Sequence, residues 1–416
     1  MSLAKELQER GFVYQFSSET LEEIFDGGET RTVYLGIDPT ADSMHVGHLV
    51  PYMMLNHIMN AGHHVIALMG GGTALIGDPS FKENERDIAS VETIADQCKG
   101  LEANVRKITT SDKIEFVNNH DWLSELGAIE FMREVGKHFT INSMIKKESV
   151  SARLESENGI SYTEFSYALL QSYDFYHLHI EKNCDVQIGG SDQWGNVTSG
   201  IDFVRRKTGD KVFGLTMPLI IDAATGKKFG KSEGNAVWLD ADKTSPYTFY
   251  QFWLNTSDES VISYLKLFTF LSLEEISVIE QEHSANPGKR EAQKKLAEEI
   301  TTFVHGKETM LLVQEVTDIL FGEGKLTDIS VSGKKVLLEN APVVHIQIGV
   351  LVVDTLVVSG LASSKREART FIESGAVTIN GVKIENIEEV LSSEFFTADI
   401  ALLKRGKKNL SVLVVQ

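Results

Sequence analysis

Two cysteines, seven prolines and no excess of positive charge characterise a chain of 416 residues. Cys98 and Cys184 are too few for a disulfide framework or a cysteine-based zinc site, which fits a reducing compartment. Seven prolines and 33 glycines leave no room for a long disordered or collagen-like tract. The opening "MSLAKELQERGF" has no apolar signal core, and no run approaches the ~20 apolar residues of a membrane span. The expectation is a soluble cytoplasmic protein with no membrane partner. A net charge of −19 excludes a generally basic surface and leaves any nucleic-acid contact to local patches. What is present is ordinary globular composition, 42% apolar and 24% charged, over a length that fills two or three domains.

Up to residue 222, strand and helix patterns alternate. "VYLGID" (33–38), "HVIALMGG" (64–71), "IEFVNN" (114–119), "CDVQIGG" (184–190) and "LTMPLII" (215–221) read as buried strands. A helix from about Val46 to Asn60 and others between the strands predict an α/β fold, a Rossmann-like parallel sheet. Ligands then lie beyond the carboxyl ends of the strands, where Gly36, Gly70–Gly72, Gly77 and Gly189–Gly190 fall. Residues 223–245 form a connection, and 246–321 read as an α-helical domain with Ser and Asp at the N-caps. Residues 322–348 are weakly patterned and read as a linker. Segment 349–416 offers two short helices and then strands joined by Asn380-Gly381, the sign of a tight hairpin in a small α+β domain. It holds eight basic and eight acidic residues, so the preceding 348 carry the whole −19. Its cations bunch as Lys365, Arg366, Arg369 and Lys404, Arg405, Lys407, Lys408, a local patch of the kind RNA contact needs, or else a solvated charged face.

Two stretches carry chemistry. In "PTADSMHVGH", His45 and His48 stand three apart with Gly47 between them. A metal half-site lacks acidic or thiol ligands at useful spacing, and a core accident leaves the motif unexplained. A nucleotide pocket is better motivated: a helix start favours phosphate, and Gly47 removes a side chain where a base or ribose must approach. Pro51, one turn on, removes a backbone donor from that helix. In "GKKFGKSEG" (226–234), Lys228, Lys231 and Ser232 are spaced to close over a phosphate chain and stabilise charge on leaving pyrophosphate, or else form a solvated turn.

HVGH with KFGKS resembles the paired signatures of class I aminoacyl-tRNA synthetases. "YLGIDPTADSMHVGH", "GDPSFKENER", "FSYALLQSYDF", "QIGGSDQWGN" and "SKREARTFIESGAVTINGVKI" extend the resemblance to bacterial tyrosyl-tRNA synthetase over almost the whole chain. That family implies a Rossmann-like catalytic domain (1–222), an α-helical anticodon-binding domain (246–321) and an S4-like RNA-binding domain (349–416). It implies a homodimer that attaches L-tyrosine to tRNA(Tyr) with ATP and Mg2+.

Carried over by motif, Tyr34 and Asp174 read the substrate phenol, and Asp78, Tyr167 and Gln171 hold the α-ammonium. Tyr167, Gln171 and Asp174 stand at i, i+4 and i+7, so one helix face would present all three. Gln187 and Thr73 match the tyrosine site, with Asn119 packing or capping beside it. Gly36, Asp38, Pro39, Gly47, Asp192, Gln193 and Lys231 match the ATP site. His45, His48, Lys82, Arg86, Lys228, Lys231 and Ser232 would act on the reacting phosphates, although Glu83 and Glu85 flank the two cations of the "SFKENER" loop. Magnesium is expected on the phosphates of ATP rather than in a protein cage. The rival readings are a tryptophanyl-tRNA synthetase, a small-molecule nucleotidyltransferase with HxGH, and a non-catalytic RNA-binding relative.

Overall fold

The computed structural model describes every residue except 81–88, 112, 156–158, 221–228, 230, 233–234, 323 and 407, and the side chains of 148, 149, 231, 232 and 235. The chain divides into two compact units, Met1–Thr244 with Phe252–Ile300, and Ser245–Gln251 with Thr301–Gln416.

The first unit is built on a six-stranded sheet. Its strands are β1 (Gln15–Phe16), β2 (Thr32–Ile37), β3 (His64–Met69), β4 (Ile114–Asn118), β5 (Val186–Gly190) and β6 (Phe213–Met217), in spatial order β1-β6-β5-β2-β3-β4. β2 to β6 run parallel, and β1 adds an antiparallel edge that the sequence pattern does not reveal. The fifth stretch was expected over 215–221 but the strand spans Phe213–Met217, because Pro218 cannot donate to a ladder. After β2 the chain winds outward through β3 and β4, then crosses back to β5 beside β2. A switch of direction therefore lies at the carboxyl ends of β2 and β5, where an open α/β sheet leaves a crevice.

Four helices position the site. HVGH begins as a tight 3-10 turn over Val46–His48, and the α-helix proper, α1, runs Leu49–Asn60. Pro51 is thus the third residue of α1, where a backbone donor has no acceptor within the helix, so its missing N–H costs little. α2 is a single turn, His120–Leu123, at the exit of β4. α3 (Tyr162–Lys182) starts at Ser161, whose Oγ accepts the Glu164 N–H at 3.2 Å, and ends at Asn183 with φ 52°. α4 runs Trp194–Thr208.

Five helices among the described residues fill the stretch expected as one α-helical domain: Pro246–Leu254, Val261–Phe268, Leu273–Ala285, Glu291–His305 and Lys307–Phe321. They are divided between the units. Helices within 252–300 belong to the first, where the buried Arg10 guanidinium donates to the carbonyls of Lys266, Thr269 and Leu271.

The second unit holds a five-stranded sheet, in spatial order Val382–Lys383, Val377–Ile379, Ile400–Arg405, Asn409–Val415, Val343–Ile346. Asn380 (φ 50°) and Gly381 (φ 83°) both turn left-handed, the geometry that a two-residue hairpin requires. Helices Val352–Val358 and Lys365–Glu373 pack Val352, Leu356, Ala368 and Ile372 on Val377, Leu403 and Leu413. Among its described residues the expected linker 322–348 holds a helix and a strand. Helix Val331–Asn340 starts at Ser330, and Val343–Ile346 joins the sheet parallel to Asn409–Val415, a partner too distant in sequence to be read from local pattern. Among the described residues no helix is long and apolar enough to cross a membrane.

Candidate active site

A cavity of about 440 Å³ opens at the carboxyl ends of β2 and β5. It is lined by Tyr34, Gly36, Asp38, His45, Gly47, His48, Thr73, Asp78, Tyr167, Gln171, Asp174, Gln187, Asp192 and Gln193, and also by Pro51. The expected tyrosine and ATP residues among these line one cavity; Pro39 is buried outside the lining, and the side chain of Lys231 lies outside the described residues.

A continuous hydrogen-bond chain fixes the cavity floor. Tyr167 Oη donates to Asp38 Oδ2 (2.7 Å), and Thr73 Oγ1 donates to Asp38 Oδ1 (2.7 Å). Asn119 Nδ2 stands 2.9 Å from both Thr73 Oγ1 and Asp174 Oδ2, while Trp122 Nε1 donates to Asp174 Oδ1 (2.8 Å). Asp38, matched to the ATP site, therefore bonds two residues matched to tyrosine. Asn119 also accepts the Gly72 N–H at 2.7 Å, locking the glycine turn after β3. A Cβ on Gly70 would stand 2.0 Å from Asp38 Oδ1, so this turn must lack one. At the far wall, Asp78 takes Gln193 Nε2 (2.7 Å) and Ser80 Oγ (2.7 Å).

Asp174 is fully enclosed. Burial pushes its carboxyl up to about 7, against the pull of Asn119 and Trp122, with Asp38 adding to the rise. Burial, then Asp174 and Cys184, holds the Tyr34 phenol well above its ordinary range. Tyr34 Oη, Tyr52 Oη, Gln171 Oε1 and Gln187 Oε1 are buried without a hydrogen-bond partner among the described residues. Native interiors rarely leave such groups bare, and four in one cavity mark the place of a polar ligand.

At the cavity mouth, His45 Nδ1 accepts the Gly47 N–H (3.0 Å) and His48 Nδ1 accepts the His45 N–H (3.2 Å). The two rings lie 3.9 Å apart. A Cβ on Gly47 would meet the His45 ring at 2.8 Å and the Phe229 carbonyl at 3.0 Å. Gly47 thus leaves room for the His45 ring and the Phe229 carbonyl, and it also lines the cavity.

The family model of class I tRNA synthetases (W and Y) matches residues 28–322, and that of the tyrosine–tRNA ligase SYY-like C-terminal domain matches 334–413. The chain is 46% identical to tyrosine–tRNA ligase 2 of Enterococcus faecalis over 98% of both chains. It is 47% identical to the tyrosine–tRNA ligase of Streptococcus pyogenes over 99% of this chain and 100% of that one. A truncated mitochondrial tyrosyl-tRNA synthetase of Aspergillus nidulans superposes with a TM-score of 0.68 at 30% identity, over 75% of this chain and 92% of that one. The chain belongs to the tyrosyl-tRNA synthetases.

Several residues of this synthetase escape a reading of its motifs. Trp122 was not anticipated, and Asn119 was expected only to pack or cap; the signal was a polar "NNHDW" placed where β4 ends. Phe229, the spacer of KFGKS, is buried among Phe252, Trp253, Tyr264 and Phe268 with centroids 4.9–5.6 Å away. These rings anchor Phe229 itself. Phe229→Leu is expected to lower stability by about 1 kcal/mol, read as the urea midpoint; an unchanged midpoint would remove the anchor. Lys82, Arg86 and Lys228 lie outside the described residues, and Lys231 and Ser232 are described only as backbone, paired with Ala236 and Asn235.

On the second unit, Arg366, Arg369 and Lys408 are exposed, and Lys365 is exposed while meeting Asp354 at 2.7 Å. Lys404 and Arg405 turn inward instead. Lys404 Nζ donates to the Leu320 carbonyl, and Arg405 donates to the Leu361 carbonyl and lies over the Phe371 ring. Lys407 lies outside the described residues.

Proposed function

We propose that the cavity forms tyrosyl-adenylate and then transfers tyrosine to tRNA(Tyr), with Tyr34 and Asp174 reading the phenol. The tyrosine carboxylate forms a bond to the α-phosphorus of ATP as the bond to the β-phosphate oxygen breaks, and pyrophosphate leaves. A carboxylate is already ionised near neutral pH, so no general base is needed. The 2′-hydroxyl of the terminal tRNA ribose then attacks the acyl carbon and releases AMP. Catalysis is positioning and charge stabilisation. Asp78, Tyr167 and Gln171 hold the ammonium, with Thr73 and Gln187 completing the tyrosine site. Gly36, Asp38, Gly47, Asp192 and Gln193 bound the ATP site. His45, His48, Lys82, Arg86, Lys228, Lys231 and Ser232 serve the phosphates.

Magnesium enters on the phosphates of ATP, the mode its reluctance to shed water favours. Helices of 246–321 read the anticodon, and Lys365, Arg366, Arg369 and Lys408 contact RNA phosphates. The enzyme works in the cytoplasm as a homodimer. Exposed Ile129, Met132, Ile141, Ile145 and Tyr162 support the dimer.

The observation that carries the reading is the bare Tyr34 hydroxyl beside a carboxylate already held by two donors. A phenylalanine leaves that hydroxyl unpaired. ATP–pyrophosphate exchange with tyrosine, tryptophan and phenylalanine is the test. Exchange with tyrosine alone is expected, and exchange with tryptophan would overturn the pocket assignment.

A further inference from the structure

We propose that His177 is a positioning residue for tyrosine recognition, its imidazole holding the Trp122 indole so that Nε1–H is aimed at Asp174. The inference deepens the reading of Asp174 as phenol acceptor and rests on it. The Trp122 and His177 rings are stacked, 4.4 Å between centroids and 21° between planes. Trp122 itself stands on α2, one helical turn with no buried residue, so its own element does little to fix the indole. The indole also packs against the buried cluster that includes Tyr34, Phe175 and Leu178. Stacking on His177 adds a constraint on the pitch of the ring plane.

Asp174 and His177 are three apart on α3 and so share one face. A single helix therefore grips the indole at two points: the carboxylate takes the N–H and the imidazole takes the ring face. Tyr173 extends the row of rings, 6.2 Å beyond His177. Burial holds the His177 imidazole below its ordinary range, with Glu181 opposing and Lys182 reinforcing the shift. The stack is accordingly between neutral rings. If Trp122 tilts, Asp174 keeps, among the described residues, only Asn119 as donor, and the carboxylate oxygen that meets the phenol loses its orientation.

The test measures adenylate formation with tyrosine and with phenylalanine in His177→Ala, His177→Leu, His177→Phe and Asp174→Ala. Loss of the stack in the Ala and Leu variants is expected to raise the tyrosine KM about three- to tenfold. Preference over phenylalanine should fall by the same factor, with the ATP KM unchanged within about twofold. His177→Phe, which keeps a flat ring, should restore both tyrosine values. Leu tests the shape of the ring at nearly constant burial, should Ala fold poorly. An unchanged preference in Ala and Leu, equal losses for tyrosine and ATP, or failure of Phe to restore would overturn the inference while Asp174→Ala still abolishes the preference. If Asp174→Ala itself leaves the preference intact, the pocket reading fails and this inference falls with it.

Discussion

Replacing Asp174 with alanine is expected to lower kcat/KM for tyrosine in adenylate formation by about 10²- to 10³-fold. The KM for ATP should stay within about threefold. Two effects add. The substrate phenol loses a charged acceptor, and the buried donors Asn119 Nδ2 and Trp122 Nε1 lose the oxygens they point at. Neither touches the phosphates, so the split between tyrosine and ATP separates recognition from general damage. Equal losses in both substrates would contradict the role.

The same carboxyl gives a pH signature. Its native value of about 7 lies above the ordinary 3.8 because burial disfavours the charged form. The native state then keeps a proton that the unfolded chain has released. The resulting stabilisation is present in full below the unfolded value and is lost as pH rises through about 7. Asp174→Asn removes this titration, so its stability relative to the wild type should improve between pH 4 and 7, by at most about 4 kcal/mol. Activity runs the other way, since only the ionised carboxylate accepts the phenol proton. Tyrosine kcat/KM should rise through pH 7 in the wild type and lose that limb in Asp174→Asn. Matching pH profiles in the two proteins would contradict the assignment.

The strands and motifs of the site were legible because they depend on local pattern. Alternation placed β2 to β5 within two residues at their starts, and the i, i+4, i+7 spacing put Tyr167, Gln171 and Asp174 on one cavity wall. What depended on distant partners was not legible. β1 is two residues long and exists only by pairing with β6. The 322–348 segment looks weakly patterned because its strand is the edge of a sheet completed more than 60 residues later. Helices 246–321 carry uniform helical periodicity, which cannot say that Trp253, Tyr264 and Phe268 gather around Phe229. Asn119 and Trp122 follow a strand as any polar loop does, and only the fold brings them to Asp174. Lys404 and Arg405 count as surface charge in a sequence, yet both are committed to carbonyl groups.

His45 is where local geometry makes the second large prediction. Its Nδ1 accepts the Gly47 N–H, so a neutral ring carries its proton on Nε2. One nitrogen caps the turn and the other is the donor that a phosphate can meet. His45→Asn keeps an acceptor near the Nδ1 position but cannot reach where Nε2 stood. The helix start should survive, with a thermal midpoint within a few degrees of the wild type, while the rate of adenylate formation falls about 10²-fold, the loss typical of one donor to developing charge. His45→Gln, whose amide nitrogen extends to the Nε2 position, should recover part of that rate. The loss should fall on kcat rather than on either KM, because charge builds on the leaving pyrophosphate only in the transition state. If Asn and Gln are equally impaired, Nε2 is not the acting group, and the role of His45 reduces to holding the turn that presents His48.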